Sequence, residues 1–502
     1  MNHLFSEIRA NMPDTGKVFL ETHDGRQITY GDVLTLSARY ANALTDIGVA
    51  PGDRVAVQVE KTPEALMLYL ATVRAGGVFL PLNTAYTPSE IDYFVTDAEP
   101  AVLVCDPSKA DALAATAKKV GASLQTLDAA GEGSLRRLAD GASEQFQDVP
   151  REDSDLAAIL YTSGTTGRSK GAMLSHENLA SNARTLVNYW QFTGDDVLLH
   201  ALPIFHTHGL FVATNTLLLA GGSMLFLPKF DLDTVLNLLP KATSMMGVPT
   251  FYIRLLGSQA FTRELVSHMR LFISGSAPLS AEVHKEFSER TGLAILERYG
   301  MTETNMNTSN PYDGERRAGT VGFPLPGVGL RIADPTTGRE LPQGEVGVIE
   351  VKGPNVFQGY WRMPEKTAEE FRTDGYFVTG DMGRIDERGY VSIVGRSKDL
   401  IISGGFNVYP AEVEALLDEI PGVAESAVIG VPHPDFGEGV VAVVAARPGA
   451  SLDAKGITAA LADKLARFKQ PKEVHVVEAL PRNTMGKIQK NVLRDTYKSD
   501  FA

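Results

Sequence analysis

The chain is 502 residues long, 44% hydrophobic and 22% charged, which is the balance of a folded soluble protein and too much chain for one ordinary core. Its net charge of −14 argues against nucleic acid as a partner, because phosphate backbones recruit basic patches, and any anionic ligand must therefore meet local cations. The single cysteine, Cys105, excludes an internal disulfide framework and multi-cysteine metal sites, and no apolar run is long enough to span a bilayer.

The first residues, M-N-H-L-F-S-E-I-R-A-N-M-P, have neither the apolar core of a secretory signal nor the Arg-rich character of a transit peptide, so a cytoplasmic location is expected. Up to about residue 150, helical and strand-like segments alternate, with 65–73, 77–82 and a short buried strand at 101–105 as examples. Ser175 is an N-cap candidate for a helix in which Leu179, Ala183, Leu186, Val187 and Trp190 recur at helical spacing. The apolar segments 209–219, 223–227, 245–248 and 271–273 read as sheet strands whose ends carry polar loops, the place where open α/β sheets bind ligands. From Gly344 the texture turns β-rich, and G-R-S-K-D at 395–399 closes the larger body. Beyond it the pattern starts afresh: a helix opened by Pro410, strands at 427–431 and 440–446, a helix at 453–468 and a strand at 474–477. The fold class is therefore α/β, a large N-terminal domain at 1–398 followed by a small α+β domain at 399–502.

The string Y-T-S-G-T-T-G-R-S-K-G at 161–171 combines three glycines, hydroxyl side chains and Lys170 after an apolar run. Glycine allows positive φ and close backbone approach, successive N–H groups form an anion nest, and the lysine adds a mobile cation, so the loop suits phosphate. It is not a Walker A sequence, because Gly164 and Gly167 are three apart and Lys170 is followed by Gly171. Two imidazoles, His206 and His208, fall on one face of an extended H-T-H, but no third metal ligand of matching spacing follows.

Further strings follow in order: S-G-S-A-P at 274–278, R-Y-G-M-T-E at 298–303, Y-F-V-T-G-D at 376–381, G-R-S-K-D, and P-R-N-T-M-G-K at 481–487. Together with the glycine loop they resemble the adenylate-forming superfamily of acyl-CoA synthetases, luciferases and peptide-synthetase adenylation domains, over nearly the whole chain. That resemblance implies the adenylate-forming fold with a mobile C-terminal domain, ATP, Mg²⁺ and CoA as cofactor and co-substrates, and activation of a carboxylate as acyl-AMP before transfer to a thiol. It implies that Thr162, Ser163, Gly164, Thr165, Thr166, Gly167, Arg168, Ser169 and Lys170 hold the ATP phosphates. Glu303 and Thr166 would hold Mg²⁺, an ion that prefers oxygen ligands, with Thr302 close by. Tyr299 would stack on adenine beside Ser276 and Ala277, and Asp381 with Arg396 would bind the ribose. Lys487 would neutralise the carboxylate and α-phosphate, a role that acetylation by a lysine acetyltransferase would switch off. Asp399 is the implied hinge, and Gly404 and Gly405 the implied neighbours of CoA. Ser169 stands where the superfamily usually has proline, which leaves every donor in place.

A second carboxylate in the acyl pocket must be paired, and arginine suits the task because its planar fork holds a carboxylate bidentately. Arg298 and Arg254 are the two candidates. The strings L-E-R-Y-G-M-T-E-T-N-M-N-T-S-N-P-Y and L-P-I-F-H-T-H-G-L resemble malonyl-CoA synthetases, which implies malonate or methylmalonate as substrate, His206 as a gate, and Thr207 and Met306 beside the C2 substituent. A ligase for another short-chain acid, or one that loads a carrier protein, remains an alternative, and no nucleic acid or membrane partner is expected.

Overall fold

The computed structural model describes residues 1–162, 169–404, 406–462, 464–483 and 486–501. Ser163, Gly164, Thr165, Thr166, Gly167 and Arg168 of the glycine loop, and Gly405, lie outside the described residues.

Two sheets with parallel interiors carry the larger domain. The nine-stranded sheet runs Phe323–Pro324, Asn305–Ser309, Leu296–Met301, Leu271–Ser274, Ser244–Gly247, Val197–His200, Ser223–Phe226, Val18–Thr22, Gln27–Thr29. Its six inner strands are parallel and its edges antiparallel. The six-stranded sheet runs Ser123–Thr126, Val102–Cys105, Arg54–Gln58, Val78–Pro81, Leu156–Tyr161, Gly171–Ser175, parallel except for its last strand. Helix Pro63–Arg74 is buried at every position, as a helix must be when layers cover it on all sides. Thr62 caps its first turn and Pro63 occupies the position where a missing N–H costs nothing. An antiparallel sheet of Gly329–Ala333, Gly347–Lys352, Phe377–Ile385 and Val391–Arg396 follows, realising the β-rich stretch expected from Gly344 onward.

The small domain has its own sheet and its own cores. Long paired strands Val423–His433 and Gly437–Ala446 form its centre, and Glu473–Val477 joins parallel to the second. Helices Pro410–Asp418 and Ala454–Leu461 pack on one face, and Leu493 of helix Lys490–Tyr497 on the other. No helix among the described residues is long and apolar enough to cross a membrane.

Four local expectations need correction. The glycine string, expected to lead into a packed helix, is followed first by strand Gly171–Ser175, and the helix His176–Tyr189, capped by Ser175 as expected, comes after that strand. Segment 209–219 is not a strand but a π-helical turn, His208–Ala213, continued as helix Thr214–Ala220, all of it buried or nearly so. His206 and His208 consequently do not share a face of an extended segment, because His206 sits in a bend and His208 opens the helix. The helix expected at 453–468 ends at Leu461.

Candidate functional site

The parallel strands of the larger sheet end on one side of the molecule, and the loops leaving His200, Gly247, Ser274 and Met301 bring the motif residues together there. This is the edge at which open α/β sheets offer backbone and side chains to a ligand.

On the nucleotide side, neighbouring strands of the antiparallel sheet place Asp381 opposite Arg396, whose Nε lies 2.7 Å from Oδ1. Tyr299, buried in strand Leu296–Met301, donates its hydroxyl to the other oxygen at 2.5 Å. Burial, then Asp381, pushes the Tyr299 phenol up, so it stays a donor. Each Asp381 oxygen keeps a second lone pair, so the carboxylate can still accept from a vicinal diol. Ser276 and Ala277 follow strand Leu271–Ser274, and Ser276 takes a positive φ of 70° that turns the chain across the site.

Glu303 lies in the turn after Met301, beside Thr302, and is buried. Tyr360 Oη stands 3.0 Å from Glu303 Oε1 and 2.8 Å from Glu370 Oε2. One phenolic hydrogen serves one carboxylate at a time; burial pushes the Glu303 carboxyl up, and Tyr360, Arg396 and Lys170 oppose that rise. Lys170 Nζ is 3.2 Å from Glu370 Oε1 and 4.3 Å from the Tyr360 ring. Thr162 donates its N–H to the Lys170 carbonyl and Tyr93 its hydroxyl to the Ser169 carbonyl, which fixes both described ends of the glycine loop. Neither Tyr360 nor Glu370 is marked in the sequence. Tyr360 reaches the site because its strand-like segment bridges Ala172, immediately after the loop.

The acyl side is built differently. Arg298 is only 3% exposed, and its Nε and Nη2 have no hydrogen-bond partner among the described residues. Its guanidinium rests against Gly275, where any Cβ would overlap it. Burial holds Arg298 down to about 9, still charged at neutral pH. Its charge acts on His206 and His208, both of which burial keeps neutral, His206 at about 3. His206 Nδ1 and His208 Nε2 also lack partners, while His208 Nδ1 is 3.2 Å from Ser276 Oγ. Buried donors left open in this way carry a desolvation cost that a carboxylate would remove. A cavity of about 330 Å³ opens beside them, lined by His206, His208, Thr250, Phe251, Arg254 and Ser276 among others. Arg254 is exposed at its rim, 5.8 Å from the Phe230 ring, so of the two arginines only Arg298 is buried. Thr207 donates to Asn305 Oδ1 at 2.6 Å, and Asn182 grips the Met306 backbone at both its N–H and its carbonyl. Asn305 itself takes a φ of 50°, a conformation asparagine tolerates better than most residues.

Lys487 enters from the small domain, one residue after Gly486, whose φ of 75° makes the turn. Burial, then Arg396, lowers its pKa, while Asp381 and Glu303 raise it and Arg298 again lowers it. The ammonium thus stands within electrostatic reach of both halves of the site. Arg447 of the small domain reaches Glu282 of the large one at 2.7 Å, and Asp399 pairs with Arg494. Gly404 is exposed in the hairpin turn before Phe406–Val408, donating to the Phe436 carbonyl rather than facing the site. The one trio of metal-capable side chains among the described residues is His3, Glu7 and Glu177, away from all these groups.

The AMP-binding enzyme family model matches residues 6–361, and the model of the AMP-binding enzyme C-terminal domain matches 412–487. The crystal structure of ATP-bound MatB from Rhodopseudomonas palustris is 63% identical with full coverage of both chains and a TM-score of 0.98; apo MatB from the same source gives 0.88. A malonate–CoA ligase of Arabidopsis thaliana is 34% identical, with 99% of this chain and 91% of the relative covered. A feruloyl-CoA synthase of Amycolatopsis sp is 38% identical over 94% of each.

Proposed function

The chain belongs to the AMP-binding enzyme family, and from that premise we propose that it joins malonate to CoA: malonate and ATP form malonyl-AMP and diphosphate, and CoA then displaces AMP. The observation that carries the choice of acid is Arg298, a buried guanidinium with two open donors beside two neutral imidazoles. A monocarboxylic acid would leave that charge unpaired after its own carboxylate had turned to the phosphate. A dicarboxylic acid pairs it.

The chemistry follows from the placement of charge. A carboxylate oxygen attacks the α-phosphorus, the bond to the β-phosphate bridging oxygen breaks, and diphosphate leaves. Two anions must approach one another, so cations carry most of the catalysis, and Lys487 is the one positioned between the two halves of the site. Lys170 would leave Glu370 to meet the phosphates, Asp381 and Arg396 would fix the ribose, and Tyr299 with Ser276 and Ala277 would hold adenine. Glu303 suits Mg²⁺, which when bound neutralises phosphate charge: it offers a buried oxygen donor whose ionised form a cation would favour. In the second half-reaction the CoA thiol attacks the acyl carbon and AMP departs.

We place the boundary at Asp399, with 1–398 as the adenylating body and 399–502 as the mobile domain. The likeness to ATP-bound MatB, greater than to apo MatB, supports reading the present pose as the one for adenylation. Gly404 and its neighbour would approach CoA only after rotation about Asp399. Thr207 and Met306 would admit a C2 methyl and little more, so methylmalonate is a second substrate. Acetylation of Lys487 would remove the charge that adenylation needs and stop the first step. A cytoplasmic setting fits these substrates.

The deciding experiment is acid-dependent AMP formation with malonate, methylmalonate, butylmalonate, acetate, octanoate and ferulate, for the wild type and Arg298→Ala. Malonate should lead by kcat/KM in the wild type and lose about a hundredfold in the variant, in keeping with a lost charged bidentate contact. Better turnover of acetate, octanoate or ferulate by the wild type would refute the assignment of the acid.

A further inference from the structure

Behind the turn that carries His206, Thr207 and His208 lies a buried lysine that the proposed reaction does not use. Lys61 follows strand Arg54–Gln58 of the six-stranded sheet, and its side chain reaches the end of strand Val197–His200 in the nine-stranded one. Its Nζ is 2.8 Å from His200 Nδ1 and 2.9 Å from the His200 carbonyl, and 4.3 Å from the Phe226 ring centroid. The Lys61 amine, which burial pushes well below its usual range, thus donates toward an imidazole nitrogen and a carbonyl and lies against a ring face. No carboxylate pairs with Lys61 among the described residues. A lysine amine buried without a counter-ion is a poor device for stability alone, since an apolar side chain would fill the space at lower cost.

The other side of His200 gives the lysine a purpose. His200 Nε2 lies 2.8 Å from the Gly209 carbonyl, which can only accept, so Nε2 carries the hydrogen and Nδ1 is left to accept from Lys61. The same carbonyl accepts from Thr214 Oγ1 at 3.0 Å. Gly209 is the tight point of the turn, because a Cβ there would overlap the Pro203 carbonyl. It also lies in the π-helical turn His208–Ala213, a wider winding that depends on outside contacts to persist.

We propose that Lys61, acting through His200 on the Gly209 carbonyl, is a positioning residue that sets where His206, Thr207 and His208 stand in the acyl pocket. The inference rests on reading that pocket as the malonate site. Lys61 fixes the tautomer and orientation of the imidazole, the imidazole fixes the carbonyl, and the carbonyl fixes the start of the helix that His208 opens and hence the turn before it that carries His206 and Thr207.

Lys61→Met, His200→Leu and the double variant, assayed for malonate-dependent AMP formation by the full chain, test the link. Each single variant should raise KM for malonate about tenfold while KM for ATP stays as in the wild type, the scale expected for a slightly misplaced binding group. The double variant should be no worse than the worse single one, because both break one chain of contacts. Unchanged KM for malonate, equal losses for malonate and ATP, or additive losses would each overturn the proposal. Should a variant fail to fold, imidazole ¹⁵N spectra of the wild type decide: an Nε2–H tautomer with a hydrogen-bonded Nδ1 is expected at His200, and an Nδ1–H tautomer contradicts it. If the wild type ignores malonate, the reading of the acid fails, and the spectra still report on the Lys61–His200 contact separately.

Discussion

At Gly275 there is room for a hydrogen and for nothing larger, because the Arg298 guanidinium lies against the backbone. The neighbour is the free end of a long side chain rather than backbone, so Gly275→Ala should move the arginine instead of the fold. We expect thermal stability close to the wild type and KM for malonate raised about tenfold, read by steady-state kinetics beside a melting curve. A large fall in melting temperature with unaltered KM would disprove this. The same residue shows what the sequence could not resolve. Arg254 and Arg298 both sit in apolar strings, and only burial separates the exposed rim residue from the enclosed one. Tyr360 and Glu370 were invisible for a related reason. A tyrosine before tryptophan reads as core and a glutamate in an acidic helix reads as solvated, and what brings them to Lys170 and Glu303 is the isolated bridge between Tyr360 and Ala172, residues far apart in the sequence.

The elements that the sequence announced correctly are those with a cap or a clear period. Helix His176–Tyr189 begins at its Ser175 cap, and strand Val102–Cys105 is buried throughout, as expected. Segment 209–219 failed because a short, fully buried helix and a buried strand have the same apolar texture, and only length or tertiary contact separates them. Helix Lys490–Tyr497 went unseen because five of its eight residues are polar and Leu493 is its one buried residue. At this scale the decisive contact is Gly209 against the Pro203 carbonyl, backbone on backbone, which cannot yield as Arg298 can. Gly209→Ala should therefore cost about 3 kcal/mol of stability in chemical denaturation and abolish the acyl pocket's order. A variant of wild-type stability would show that the turn is looser than this geometry.

Between the domains, Lys487 is a small-domain cation whose field spans Glu303, Asp381 and Arg298 at once. Lys487→Ala should abolish malonyl-AMP formation while sparing thioester formation from supplied malonyl-AMP, and equal loss of both half-reactions would contradict the alternation of domains. Asp418, at the end of helix Pro410–Asp418, adds a pH dependence. Burial lifts it from an ordinary 3.8 to about 7; Ser426 opposes the rise, and Glu414, Glu282 and Glu425 add to it. The folded protein keeps a proton that the unfolded chain has released, so its contribution is full below 3.8 and is lost as pH rises through 7. Asp418→Asn is uncharged throughout, and its stability advantage over the wild type should grow by about 2 kcal/mol between about pH 5 and about pH 8. A flat difference across that range would show that the carboxyl ionises freely. The Arg298 guanidinium, two of whose donors stand open among the described residues, reaches further than the reaction it serves. A ligand that binds only the folded state and relieves a buried charge adds about 2.7 kcal/mol of stability at a hundredfold excess over its Kd. The empty protein is then the form that opens most often and meets proteases first, so the acid governs how long each copy of the chain survives as well as how fast it works.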